Sequence, residues 1–316
     1  MGVSHSPPTV GSIPRASLTP HRRSLPSRFL GSDWAIGYLF LVPMLVVLLG
    51  FVAYPFFSAI WLSLNAKVLG GEAHFIGLGN FQRLLEDKLF RQAALNTAIY
   101  TVFGVGIKAI FGMTAALVLN EGLRQRNLWR MLFFLPWSIP IVIGAYTWRW
   151  IYDDLSGVLS QTLIQMGLAD QYILWLANAN LTLKSILAVV LWQGTPFYIM
   201  SFLAGLSAIP QELYEAAEVD GAGTLSKFVN ITLPGLLPVI IIVCLLSTIW
   251  TSNDMQFVYV LTRGGPRGVS EIFPHLAYHT AMVIKNLGQG AAIPLFSLPF
   301  LVVIIYFLTG RMLEHE

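Results

Sequence analysis

The sequence has 316 residues, of which 55% are hydrophobic and only 11% are charged, and its formal net charge is +3. Soluble globular domains carry roughly 25% charged residues, so this chain has too few charges to cover a surface that faces water. The composition therefore excludes a soluble globular protein and indicates a chain that lies largely in a membrane.

The first segment, residues 1–30, is rich in Pro, Ser and Arg. This composition predicts a disordered cytoplasmic tail, because it offers too little apolar surface to bury. The apolar segment that follows is longer than the core of a secretory signal, which has about 7–15 residues, so no such signal is predicted. Residues 31–316 are predicted to form one transmembrane domain.

Six stretches are apolar over enough residues to cross a bilayer, which takes about 20 residues of helix. A membrane β-barrel is not favoured, because its strands would alternate apolar and polar residues and the segment 298–307 does not. We therefore predict an all-α integral membrane protein with about six transmembrane helices, and helices in external loops at the shorter runs 171–183 and 272–284. The predicted spans are 34–66, 92–120, 131–148, 185–211, 228–253 and 286–310.

Charged residues between the spans indicate the orientation, because Lys and Arg are concentrated in short cytoplasmic loops. Arginines are frequent in the tail and in the segment 121–130, whereas the loop after the third span carries Asp153, Asp154 and Asp170. Both termini and the segment 208–233 are thus predicted to be cytoplasmic. Cations on the predicted outer side, between residues 67 and 91 and between 263 and 285, weaken this signal.

A few charged residues and histidines lie in or next to the spans. Lys108, in the second span, either lines a polar path through the membrane, pairs with an acid of another chain or snorkels to the interface, and we favour snorkelling. Arg149 lies among aromatic residues, as is typical of an interfacial belt. His275 and His279 have a spacing that metal ligands on a helix can have, but no third ligand is near. No metal site is predicted, and an external amphipathic helix is favoured.

Spans three to five combine polar, aromatic and helix-weakening residues. Pro136 and Pro140 interrupt span three, and three polar residues of span five share one helical face. A sugar offers hydroxyls to polar side chains and an apolar ring face to aromatic ones, so these residues suit a sugar site. On the chemistry alone, however, contacts between helices are the favoured role for small polar residues in membrane bundles. The candidate substrate-binding residues are Trp137, Gln193, Gly194, Phe197, Ser247, Thr251 and Asp254.

The loop between spans four and five, residues 208–234, is predicted to contain two short helices. Pro210 suits the first position of a helix, Gly221 and Gly223 stop the first helix, and Thr224 is a suitable N-cap for the second. A simple connection between two spans would not need this organisation.

The loop also carries a spaced motif. Glu215-Ala216-Ala217 is followed after three residues by Gly221, and after nine more by Ile231-Thr-Leu233-Pro234. This pattern resembles the EAA signature of permeases in binding-protein-dependent ABC importers. The segments 75–81, 135–140, 264–266 and 288–292 resemble the maltose-type sugar permeases of that family, so the resemblance covers nearly the whole chain after the tail.

The resemblance implies the type I ABC importer permease fold and a subunit that translocates a carbohydrate, with sugar contacts at the candidate positions. The residue types at Gln193 and Asp254 differ from those of the maltose permease. A glycerophosphodiester or a polyol is the alternative substrate. A secondary transporter is a rival class, but the chain shows no internal repeat.

The resemblance further implies which partners act with this chain. They are a second permease subunit in a heterodimer, two cytoplasmic ATPase subunits and an extracytoplasmic solute-binding protein. The chain has no phosphate-binding loop, so ATP and Mg²⁺ are expected on the ATPase subunits and no cofactor on this chain. The residues expected to couple to the ATPase are Glu215, Ala216, Ala217, Asp220, Gly221, Ile231, Leu233 and Pro234.

Overall fold

A computed structural model describes residue 2, residues 34–121 and residues 124–313. The predicted disorder of the tail 1–30 falls, apart from residue 2, outside the described residues and stays a prediction. The chain divides into two compact units, residues 1–56 and 57–316, and each is described by itself.

The described part of the first unit is helical. Helix α1 (Trp34–Val47) continues through a π-helical segment, Leu48–Ala53, into α2 (Tyr54–Ser63), which extends into the second unit. Residues Tyr38–Ser63 are apolar enough to cross a membrane, in agreement with the first predicted span. Pro55 follows the π-helical segment, and its missing N–H removes one backbone hydrogen bond at this point of the helix.

The second unit is built almost entirely of helices. A small antiparallel pair, β1 (Asn65–Ala66) with β2 (His74–Phe75), precedes them. The helices are α3 (Gly79–Glu86), α4 (Lys88–Asn120), α5 (Arg126–Ser138), α6 (Ile141–Ile151), α7 (Val158–Gln165), α8 (Thr182–Leu206), α9 (Gln211–Val219), α10 (Thr224–Lys227), α11 (Leu233–Asn253), α12 (Gln256–Leu261), α13 (Phe273–Tyr278), α14 (Leu287–Leu295) and α15 (Ser297–Leu313). Two further π-helical segments, Phe228–Thr232 and His279–Val283, join α10 to α11 and follow α13.

Five continuous helical stretches of the described chain are long and apolar enough to cross a membrane, and a bent pair brings the number to six. The prediction of about six spans is therefore confirmed. The third span, predicted over 131–148 with interruptions at Pro136 and Pro140, is bent, because α5 and α6 meet at 93°. Ile139 has an extended backbone and is followed by Pro140, which disfavours the helical conformation of the residue before it.

The prediction of an external-loop helix over 171–183 is wrong. This stretch is irregular until α8 begins at Thr182, and the loop helix is α7, earlier in the chain. Side-chain hydrogen bonds stabilise the irregular backbone: the Trp175 indole donates to Ser160 Oγ at 2.9 Å, and Ser185 Oγ donates to the Trp175 carbonyl at 3.0 Å. The stretch 272–284 is helical, as predicted.

Three apolar clusters hold the second unit together. The first joins α4, α6, α8 and α12, with Tyr100 and Phe257 among its buried residues. The second joins α4, α8 and α11 around Tyr198 and Phe202, and the third packs α3, α4, α13 and α14 around Phe90. Helices α4 and α8 take part in most of these contacts, so they form the frame against which α5, α6 and α11 are placed.

Candidate functional site

A cavity of about 780 Å³ lies between the bent pair α5–α6 and helices α4, α8 and α11. It lies beside the bend at Ile139 and is lined by polar residues from five helices, α4, α5, α8, α11 and α12. All seven candidate substrate-binding residues line it: Trp137, Gln193, Gly194, Phe197, Ser247, Thr251 and Asp254. The structure thus brings together residues that are far apart in the sequence.

Gln193 connects the cavity wall to the bend. Its side-chain Nε2 donates to the Ile139 carbonyl at 3.0 Å. Its Oε1 is buried and has no hydrogen-bond partner among the described residues. The amide group therefore holds the backbone at the bend through its nitrogen, while its oxygen is a buried acceptor without a partner among the described residues.

The polar face of α11 supplies the opposite wall. Ser247 and Thr251 are buried, and Asp254 follows directly after the last residue of the helix. The Asp254 Oδ1 accepts from the backbone N–H of Gln256 at 2.9 Å, where α12 begins. Asp254 therefore binds the first backbone N–H of α12, one residue before its N-cap Met255, and it also lines the cavity.

Aromatic side chains form the apolar part of the wall. Trp137 packs against Phe134 with ring centroids 5.3 Å apart, and Phe197 meets the ring of Trp250 edge-on at 5.2 Å. Trp250 was not among the predicted residues. Trp250 directly precedes Thr251 in the sequence. It could have been predicted as an aromatic residue next to the polar face of span five.

Lys108 also lines the cavity, and its predicted snorkelling is wrong. Its side chain is buried, with only 4% of the residue exposed. The Nζ donates to Thr251 Oγ1 at 2.8 Å and lies 5.9 Å from the centre of the Tyr198 ring. The cation is directed into the helix bundle because α8 leaves room for it there.

That room exists at Gly194. A Cβ atom at this position would lie 2.8 Å from Lys108 Cδ and 3.3 Å from its Nζ. Gly194 was predicted as a substrate-binding residue on the grounds of its place in span four. The structure shows that its missing side chain allows Lys108 to pass α8 and reach Thr251.

The loop 208–234 forms a second candidate site. Helix α9 ends at Val219, and the predicted stop residue Gly221 follows its C-cap Asp220 with a φ of +77°, which is accessible to glycine at little cost. The predicted caps are displaced by one residue, because Pro210 precedes α9 and Thr224 is the first residue of α10. Helix α10 is also not a separate short helix, since it continues through a π-helical segment into α11.

Two side-chain contacts that the sequence did not predict tie α9 to the start of this long helix. The Tyr214 and Thr232 hydroxyls are 2.9 Å apart. Lys227 Nζ is 2.7 Å from Glu218 Oε1. This hydrogen bond, together with the charge of the Lys227 ammonium, lowers the pKa of the Glu218 carboxyl.

The outer face of α9 is open to a partner. Glu215, Ala216 and Asp220 are exposed, and so are the apolar side chains of Leu213 and Val219. The remaining residues expected to couple to the ATPase have mixed exposure: Ala217 and Ile231 are half-buried, whereas Gly221, Leu233 and Pro234 are exposed. The motif therefore presents both small and acidic residues on one accessible surface.

The histidines do not lie on an exposed amphipathic helix. His275 is buried, and its Nδ1 is 2.5 Å from Glu271 Oε1. The described residues contain no group of three or more His, Cys, Asp or Glu side chains that could hold a metal ion. Arg149, in agreement with its position beside Trp148 and Trp150, is exposed and donates to the Val260 carbonyl at 3.2 Å.

Comparison with known proteins gives the family context. Residues 108–314 match the family described as "Binding-protein-dependent transport system inner membrane component". The trehalose/maltose transport system permease protein MalF of Thermococcus litoralis is 35% identical over 291 residues, which cover 91% of this chain and 98% of the relative. The sulfoquinovosyl glycerol transport system permease protein SmoG of Agrobacterium fabrum is 28% identical, with 87% and 90% covered.

A solved structure shares the fold. A chain of the bacterial alginate ABC transporter, in complex with an alginate pentasaccharide-bound periplasmic protein, superposes with a TM-score of 0.76 at 22% sequence identity. The match covers 89% of this chain and 95% of the other. The predicted type I importer permease fold is thereby confirmed.

Proposed function

The chain belongs to the family of binding-protein-dependent transport system inner membrane components, and on that basis we propose that it translocates a carbohydrate as the permease subunit of an ATP-driven importer. Its family makes it a multi-pass membrane transport subunit and not an enzyme. The relatives' transport systems are named for trehalose or maltose and for sulfoquinovosyl glycerol.

One observation carries the assignment of a carbohydrate. The cavity places hydrogen-bonding groups of Gln193, Thr251 and Asp254 beside the rings of Trp137 and Phe197. Sugars have hydroxyl groups around an apolar ring face, so this mixture of walls fits them. Neutral hydrogen bonds contribute only about 0.5–1.5 kcal/mol each, which suits a site that must release what it accepts.

The partners follow from the mode of transport. The family description names a binding protein, and the alginate transporter was solved with a periplasmic protein, so an extracytoplasmic binding protein delivers the substrate here too. A second permease subunit completes the membrane path as a heterodimer. Two cytoplasmic ATPase subunits bind ATP and Mg²⁺, and this chain itself needs no cofactor.

The loop 208–234 is the contact with an ATPase subunit. Exposed Glu215 offers a charge to a cation of the partner, and Ala216 lets the two backbones approach closely. The same assignment sets the orientation, with the loop and both chain termini in the cytoplasm.

Uptake into proteoliposomes tests the proposal. The chain is reconstituted with its partner permease, ATPase and binding protein, and uptake of radiolabelled maltose and trehalose is measured with ATP inside the vesicles. We expect uptake that requires both ATP and the binding protein. Uptake driven by an ion gradient without ATP would identify a secondary transporter, and uptake of a glycerophosphodiester or a polyol in place of these sugars would refute the carbohydrate assignment.

A further inference from the structure

We propose that Lys108 contacts the transported substrate, and that Lys108 and Asp254 together bind neighbouring hydroxyl groups of a neutral carbohydrate. The inference deepens the proposed function and rests on it. It adds a residue that the sequence pattern assigned to the membrane interface, and it specifies a substrate without net charge.

The Lys108 ammonium has unused hydrogen-bonding capacity. An ammonium has three N–H donors, and the structure shows one hydrogen bond, to Thr251 Oγ1 at 2.8 Å. Among the described residues, Lys108 forms no ion pair within 4.0 Å. A buried charge without a full set of partners is costly, and an ionisable residue inside a membrane bundle marks a functional site. Lys108 lines the cavity, so the missing partners belong to a ligand.

The Asp254 carboxylate can accept further hydrogen bonds. One of its oxygens accepts from the backbone N–H of Gln256, and the carboxylate lines the same cavity as Lys108. A carboxylate has room for about four hydrogen bonds, of which this contact uses one. The cavity wall thus carries one cation and one anion that do not touch.

Opposite charges that do not touch favour a neutral ligand with hydroxyl groups. A hydroxyl both donates and accepts, so one hydroxyl accepts from the ammonium while its neighbour donates to the carboxylate. An acidic sugar would be attracted by Lys108 but repelled by the like charge of Asp254. A basic ligand would be attracted by Asp254 but repelled by Lys108. The pair of side chains therefore selects against a net charge of either sign.

The position of Lys108 is fixed by its surroundings. Gly194 leaves the space through which its side chain passes, Thr251 holds the ammonium, and the ring of Tyr198 lies 5.9 Å from it. A cation held in this way presents its remaining donors in a defined direction, which is what discrimination between hydroxyl positions requires.

The test combines a variant with altered substrates. Initial uptake rates of maltose, or of trehalose if the wild-type protein transports it faster, are compared with those of analogues that each lack one hydroxyl. Wild-type protein and Lys108→Met are measured with the same binding protein, so the preference of the binding protein cancels between them. Lys184→Met is the matched control, because Lys184 is exposed at the start of α8.

We expect one analogue to be transported about tenfold less efficiently than the parent sugar by the wild-type protein, the effect of one hydrogen bond to a charged group. In Lys108→Met this difference disappears, while Lys184→Met retains it. A merely structural role for Lys108 would lower all rates alike and keep the difference. If Lys108→Met does not assemble, Asp254→Asn tests the same pair through the neighbouring hydroxyl.

Three results would contradict the inference. Unchanged discrimination in Lys108→Met and Asp254→Asn would place the hydroxyl contacts elsewhere. Preferential uptake of a glucuronate-containing disaccharide by the wild-type protein would refute the neutral substrate and leave carbohydrate transport intact. Uptake of neither neutral nor acidic sugars by the complete wild-type complex would overturn the proposed function itself.

Discussion

The side chain of Lys108 on α4 packs directly against Gly194 on the adjacent helix α8. The side chain of one residue fills the volume that the other leaves empty, and a Cβ at residue 194 would lie 2.8 Å from Lys108 Cδ. Interiors are close-packed, so neither helix can give way without moving its other contacts. The Lys108 ammonium can therefore take this orientation only because residue 194 has no Cβ atom.

Gly194→Ala is therefore expected to displace the Lys108 ammonium from Thr251. Substrate uptake by the reconstituted complex should fall by about tenfold, the effect of one lost hydrogen bond to a charged group. Gly106→Ala serves as the control, because Gly106 lies on the same helix as Lys108 and a Cβ there meets nothing within 4 Å. Equal uptake by the two variants would show that the position of Lys108 is unimportant for transport.

At the scale of elements, the bend between α5 and α6 is held by one amide. Gln193 Nε2 donates to the Ile139 carbonyl, the last carbonyl before Pro140. Gln193→Leu leaves that half-buried carbonyl without its partner, which costs about 1 kcal/mol. We expect a lower melting temperature of the detergent-solubilised protein, measured by intrinsic fluorescence. The exposed Gln161 provides the control variant Gln161→Leu, and equal melting temperatures would show that the bend does not depend on Gln193.

Helix α9 carries the predicted contact with the ATPase. Reversing the exposed charge in Glu215→Arg should lower substrate-stimulated ATP hydrolysis of the assembled complex to about a tenth or less, because a lost ion pair and a new like-charge contact together cost several kcal/mol. Glu72→Arg makes the same charge reversal at an exposed position in a different loop and should have little effect. Normal substrate-stimulated ATP hydrolysis in Glu215→Arg would show that the loop only connects two spans.

Apolar length is a local property, and the sequence was sufficient to predict the spans. Pro136 and Pro140 also indicated an interruption of span three, but the hydrogen bond at the bend joins Ile139 to Gln193, which lies 54 positions away. Lys108 and Thr251 are separated by 143 positions. A pattern read along one helix could not distinguish a lysine that reaches the interface from one that enters a gap in a neighbouring helix.

The cavity residues were predicted from chemistry and from a family resemblance together, and the structure places all of them around one cavity. Their contact with substrate stays a prediction, as does the role of the EAA residues. Contacts such as Glu218 with Lys227 were missed because nothing in the sequence fixes how α9 folds back onto α10.

For the molecule as a whole, cysteine labelling tests the predicted orientation in the membrane. In a Cys244→Ser background, cysteines replacing the exposed Leu155 and Leu168 should react with a membrane-impermeant maleimide added to intact cells. Cysteines replacing the exposed Val219 and Leu225 should react only after permeabilisation, because these residues belong to the predicted cytoplasmic loop. Labelling of Val219→Cys in intact cells would reverse the orientation and with it the ATPase contact.

The helix that begins at Thr224 runs through a π-helical turn and α11 as far as Asn253 without interruption. At about 1.5 Å per residue, some 40 Å of rod separates Thr224 from Thr251. One end is clamped to α9 by Lys227 and Thr232, and the other end holds the lysine of the cavity. We therefore expect that a rotation of α9, at the proposed contact with the ATPase, is transmitted along this helix, turns the polar face of α11 and weakens its proposed contacts with the substrate.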